Sequence, residues 1–120
     1  MNLHRKVIEL MYEDSLTVTE YVREKNEKTK LMDSKEVIAL ESQPCKLSYE
    51  KVTSTAQNDT VAGITQVTKI FLAPEIKIKA GSRLTVTTKA GTVQNYKQSG
   101  IPAVYPTHQE IVLEAFERWA

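Results

Sequence analysis

A chain of 120 residues with a formal net charge of +1 and a sequence pI near 7.8 has room for one domain, residues 1–120, and one modest core. Hydrophobic residues at 41% and charged residues at 26% exclude a disordered tail, and the near-neutral balance argues against a dedicated nucleic-acid grip, which needs a clear basic excess. One cysteine, Cys45, excludes an internal disulfide and a cysteine-rich zinc site, and favours a reducing compartment such as the cytoplasm.

In chain order, Leu3, Val7, Leu10 and Met11 recur at helical spacing and predict a short amphipathic helix over residues 3–12. Glu9 interrupts the run too early for a signal sequence, and no stretch reaches the 18 apolar residues of a membrane span. "SLTVTEYV" alternates and is rich in β-branched residues, so it reads as a strand. "REKNEKTKLMDS", residues 23–34, is charged without a core face and reads as a hairpin tip or loop.

"KEVIALE" and "CKLSYEK" read as two short strands, separated at Ser42-Gln43-Pro44 because proline cannot donate to a ladder. "VTSTAQNDTVAG", residues 52–63, reads as a long polar loop; its length suggests a functional role. "ITQVTKIFLA" is the clearest strand, ended by Pro74. A short strand at Ile76 and Ile78, a turn at Ala80-Gly81, a strand through Leu84 and Val86, and a turn at Lys89-Ala90-Gly91 follow. "TVQNYKQS" leads to another turn at Gly100-Ile101-Pro102. "HQEIVLEAF" fits a strand with Ile111, Leu113 and Ala115 inward, or a helix with Val112, Ala115, Phe116 and Trp119 on one face. The series of short strands before it favours the strand. The predicted fold class is mainly β: a small antiparallel barrel or sandwich with a short N-terminal helix and long loops.

Catalytic chemistry finds no foothold. His108 and Glu110 share a strand face, but zinc needs three or four ligands and the second histidine, His4, is distant in sequence. Cys45 sits among apolar positions and reads as buried and inert. The chain lacks G-x-S-x-G, a phosphate-binding glycine loop and paired carboxylates, so no catalytic residue, metal or cofactor is expected. Tyr21, Tyr49, Tyr96 and Tyr105 are too scattered for a base-stacking platform and read as core margins. The cluster Arg23, Lys25, Lys28 and Lys30 is interleaved with Glu24 and Glu27, as on a solvated hairpin tip.

Three stretches together carry a resemblance: "ESQPCKLSYEK", "TKIFLAPEIKIKAGSRLTVT" and "YKQSGIPAVYPTHQEIVLEAFERWA". In the middle one, Leu72-Ala73-Pro74 ends an apolar strand, Ile76-Lys77-Ile78 follows, Gly81-Ser82 turns, and another apolar strand begins. This resembles head–tail joining proteins, the head-completion or "stopper" proteins in the neck of long-tailed bacteriophages and phage-like elements. Ser82 departs from the aspartate often found after that glycine, and serine also suits a turn.

The resemblance implies a non-enzymatic β-barrel made in the bacterial cytoplasm and placed at the virion neck. It implies a homo-oligomeric ring of six or twelve copies beneath the portal adaptor, closing the DNA channel and docking the tail terminator or tail-completion protein. Double-stranded DNA would only pass through. Within the polar segment 52–63, residues Thr53, Ser54, Thr55, Gln57, Asn58, Asp59 and Thr60 are the candidate channel loop. His4 and Arg5 on the helix and Arg23, Lys25, Lys28 and Lys30 on the hairpin are the candidate partner contacts. The alternatives are a small OB-type nucleic-acid-binding module, or another tail-completion component.

Overall fold

The computed structural model describes residues 3–55 and 62–119, with backbone only for 52–55 and 62–65. Seven strands form one antiparallel sheet: β1 (Asp14–Lys25), β2 (Met32–Thr55), β3 (Ala62–Leu72), β4 (Arg83–Thr87), β5 (Val93–Gln98), β6 (Ala103–Val104) and β7 (Gln109–Ala115). The strand order is β3-β2-β1-β4-β5-β7-β6, and β3 also pairs with β7, so the sheet closes on itself. Closure removes most of the edge that an open sheet would expose. The expected mainly β architecture holds.

The inward positions of the closed sheet form one core. Leu16 and Val18 of β1, Cys45 and Leu47 of β2, Ile70 and Leu72 of β3, Leu84 and Val86 of β4, Tyr96 of β5, and Ile111 and Leu113 of β7 are all buried. Each pair is two residues apart, as a half-buried strand requires. Burying such a Leu or Ile side chain contributes about 1.5–3 kcal/mol.

The closed part is small, and the molecule extends well beyond it. The Cα radius of gyration is 17.6 Å and the extents are 61 × 46 × 28 Å, against about 14 Å for a compact chain of this length. The excess comes from two ribbons. Beyond Thr19↔Arg83, the last pair of β1 with β4, β1 and the start of β2 continue alone as an arm, Glu20–Lys25 against Met32–Val37. Beyond Thr68↔Leu113, the last pair of β3 with β7, a second arm pairs Glu50↔Val67 through Thr55↔Ala62.

One strand feeds both arms. β2 has 24 residues, which fully extended would span about 79 Å, more than the longest dimension of the molecule. It therefore bends. The pairing with β1 slips twice, from Leu16↔Gln43 to Val18↔Leu40 and on to Thr19↔Ile38, inserting one extra β2 residue each time. Ser42 sits within this double bulge at φ 55°, a conformation that non-glycine residues rarely adopt and that sharpens the bend.

Several expected boundaries move. The Ser42-Gln43-Pro44 break is a bend inside a single strand: pairing with β3 starts only at Lys46, so the other edge of β2 carries no ladder at Pro44. Residues 52–55 and 62–63, expected as loop, are paired strand. Ile76 and Ile78 form no strand, because β4 already has β1 and β5 as neighbours, yet both still pack against the core. The helix, α1 (Leu3–Glu9), is shorter than expected, and its apolar face is unpacked: Leu3 is 76% and Leu10 82% exposed. The C-terminal segment is a strand, with Ile111 and Leu113 inward as expected but Ala115 exposed where the strand runs past the core, and no helix follows it among the described residues.

Candidate functional site

Two buried polar side chains hold the closed sheet together, and sequence reasoning passed over both. In His108-Gln109-Glu110 the middle residue is the structural one. Gln109 is 3% exposed, and its Nε2 donates to the Ala73 carbonyl at 2.8 Å and the Ile76 carbonyl at 2.6 Å. It thereby satisfies the irregular segment after β3 that has no strand partner. Asp14, buried at the start of β1, accepts from the Leu47 amide at 2.8 Å and the Lys89 amide at 3.1 Å, tying β1, β2 and the turn after β4 together. Gln109 alternates with Ile111 and Leu113, so the period-2 pattern of β7 could have placed it inward.

His108 and Glu110 do meet, on the outer face. His108 Nε2 lies 3.1 Å from Glu110 Oε2, Glu110 Oε1 lies 3.7 Å from Lys69 Nζ, and Lys69 reaches Glu50 at 3.2 Å. The hydrogen bond to Glu50 above all holds the Lys69 ammonium above its usual range. Thr107 Oγ1 lies 3.0 Å from His108 Nδ1, and the imidazole stacks on Tyr105 with centroids 5.0 Å apart. Both ring nitrogens are engaged and the carboxylates are taken by lysine, so the cluster knits β7, β3 and β2. Among the described residues no group of three or more His, Cys, Asp or Glu side chains could hold a metal ion. The Cys45 thiol is buried, and burial, with Asp14 nearby, pushes it up to about 12. Such a thiol carries almost no thiolate at neutral pH.

The four expected contact cations sit together on the first arm. Of the two readings, hairpin tip or loop, the arm is the hairpin, and Asn26 organises its tip. Asn26 Oδ1 accepts from the Lys28 and Thr29 amides at 2.9 and 3.3 Å, Nδ2 donates to Asp33 at 2.8 Å, and the Asn26 carbonyl accepts from Lys30 N at 2.7 Å. Lys30 takes the left-handed conformation (φ 61°) that closes the turn. Arg23, Lys25, Lys28 and Lys30 are exposed there, and Leu31 and Met32 expose apolar surface beside them.

On the helix, Arg5 is committed within the chain. It pairs with Glu9 at 2.7 Å and with Glu75, and these hydrogen bonds, the one to Glu9 first, hold its guanidinium above the usual range. His4 is exposed on the same helix. Of the expected channel residues, Thr53, Ser54 and Thr55 are the last paired positions of β2, while Gln57, Asn58, Asp59 and Thr60 lie outside the described residues.

At the base of the first arm the C-terminal residues fold back onto β1. Trp119 stacks on Tyr21 with centroids 4.9 Å apart and planes 13° from parallel, and its Nε1 donates to Glu36 at 3.3 Å. Arg83 pairs with Glu36 at 2.6 Å and lies over the rings of Phe116 and Trp119 at 5.8 and 5.4 Å. Phe116 meets Trp119 edge-on at 4.9 Å. The tyrosines otherwise depart from expectation: Tyr96 is core, whereas Tyr21, Tyr49 and Tyr105 are exposed.

No family model and no curated protein matches the chain. It is similar to a solved structure, the phage-like element PBSX protein xkdH from Bacillus subtilis, with a TM-score of 0.44 and 9% sequence identity, covering 85% of this chain and 90% of that one. A likeness of that size carries no argument about fold or function.

Proposed function

We propose that the chain is a non-enzymatic structural protein of the neck of a long-tailed bacteriophage or phage-like element. Copies form a closed ring of six or twelve between the portal adaptor and the tail, close the DNA channel and offer the surface on which the tail docks. The observation that carries this reading is β2, one bent strand of 24 residues that serves a small closed sheet and two projecting ribbons. A self-contained binding module needs no such arms; a ring subunit needs contacts that reach its neighbours. The stretches that resemble stopper proteins add to it.

The first arm, with Arg23, Lys25, Lys28 and Lys30, is the contact with adaptor or tail subunits, joined by His4 on the helix. Contacts of about 800 Å² per partner suffice when a closed ring repeats them. The second arm is the element directed at the channel, and a near-neutral subunit lets DNA pass without strong cationic contacts, which would make passage salt-dependent.

Replacing residues 54–63 by Asn-Gly keeps the Thr53↔Ile64 register and shortens the second arm. Heads carrying this variant should lose DNA while rings still assemble; full heads with the shortened arm would refute its channel role. The OB-type alternative predicts a gel shift with free DNA at physiological salt, and the neck reading predicts none. An OB-type stacking face is poorly served here, because Tyr96 is buried and one ring face of the exposed Tyr21 is already stacked on Trp119.

A further inference from the structure

Beside the C-terminal aromatic cluster the sheet opens. β4 leaves β1 at Thr19↔Arg83, the Lys79–Ser82 turn swings away, and β1 continues into the arm with no strand among the described residues on that edge. The gap is a cleft of about 470 Å³ lined by Glu20, Tyr21, Arg23, Lys79, Ser82 and Trp119 among others. We propose that this cleft takes an extended, carboxylate-bearing peptide segment of a partner protein, added as a strand along Glu20–Arg23.

Three observations point the same way. First, the free backbone edge of β1 is the template that strand addition uses, and main-chain hydrogen bonds supply affinity without requiring a particular sequence. Second, the charges select the partner. Arg23 and Lys79 line the cleft and neither has an ion-pair partner among the described residues, whereas the neighbouring Glu36 is already taken by Arg83 and Trp119. Among the described residues Glu20 is the single carboxylate lining it, so Arg23 and Lys79 leave the lining with a net positive charge.

Third, the walls are fixed before anything binds. Tyr21 is stacked on Trp119, which Phe116 and Arg83 hold in turn, and Ser82 Oγ donates to the Lys79 carbonyl at 2.6 Å. A preformed cleft avoids the cost of ordering loops on binding. Of the arm cations proposed above to contact the adaptor or tail, only Arg23 belongs to this cleft, so the inference does not depend on the neck reading.

Trp119 is the sole tryptophan of the chain and reports on the cleft directly. The full chain is titrated with acetyl-Thr-Glu-Val-Glu-Thr-amide and, separately, with its lysine counterpart. Trp119 fluorescence and the backbone amide shifts of Glu20–Arg23 are followed. The acidic peptide should give a saturable change with a Kd below about 1 mM, and the lysine peptide should bind at least about tenfold more weakly.

The double variant Arg23→Glu, Lys79→Glu should reverse that preference, which also shows that it folds, and Lys6→Glu, at an exposed helix position away from the cleft lining, should leave binding unchanged. No saturation, equal response to the two peptides, or a preference untouched by the double variant would overturn the proposal. Shifts that change with protein concentration alone, and that the acidic peptide does not compete away, would assign the cleft to a second copy and overturn it too.

Discussion

Replacing Gln109 by leucine tests whether a single amide holds the segment after β3 against the sheet. The substitution keeps the volume nearly constant and removes both donors, leaving the Ala73 and Ile76 carbonyls beneath an apolar side chain. A buried acceptor left without a partner costs about 1–3 kcal/mol. Ile76 is only half-buried, so its carbonyl regains some water. The expected total is about 2–4 kcal/mol, which for a domain of this size lowers Tm by about 8–16 °C. Urea denaturation should show a lower midpoint with an unchanged slope, because the surface exposed on unfolding is the same.

Gln109→Glu is the sharper companion. A carboxylate there would face two carbonyl oxygens in a buried site, whereas the protonated acid can still donate to one. Burial and the hydrogen bond to the neutral form both raise its folded pKa above about 4.3, the unfolded value. Its stability is therefore fully present below that value and is lost as pH rises through the folded one. A leucine variant within about 0.5 kcal/mol of the parent, or a glutamate variant whose stability is flat from acid to neutral pH, would refute the reasoning.

Asp14→Ala leaves the Leu47 and Lys89 amides unpartnered and should cost about 2–3 kcal/mol by the same denaturation assay. Cys45 should resist thiol reagents at pH 8 in the folded protein and react fully in denaturant. Because burial raises its pKa from 9.0 to about 12, its contribution to stability holds below pH 9 and falls as pH rises towards 12, measurable as a drop in Tm relative to Cys45→Ala. Trp119→Ala removes the stack on Tyr21, worth about 0.5–1.5 kcal/mol; the amides of residues 21–25 should exchange faster with deuterium while those of the core strands stay protected.

Sequence pattern reaches as far as the physics is local. β3, β4 and β7 were legible because each alternates inward and outward against a single core, so Ile70/Leu72, Leu84/Val86 and Ile111/Leu113 announce themselves; β5 buries only Tyr96 and carries no such pattern. β2 was not legible, because its continuity depends on a double bulge that only the pairing with β1 defines. The first arm was legible only as a hairpin tip or loop for a related reason: a two-stranded ribbon away from the core buries neither face, so Arg23–Lys25 and Met32–Ser34 carry no hydrophobic alternation to betray a strand.

The helical apolar face of Leu3, Val7, Leu10 and Met11 was legible, yet all four side chains stay largely exposed. The candidate site was legible as a charged stretch but not as a surface. Arg23 and Lys79 are 56 positions apart, and the closed sheet brings them to one cleft. Trp119, which walls that cleft, follows the last strand and carries no periodic signal that would bind it to Tyr21.

The most direct test of the neck reading is electron microscopy of particles from a strain in which the gene for this chain is deleted. The account predicts detached tails beside heads that have lost their DNA. Intact, DNA-filled, tailed particles would contradict it.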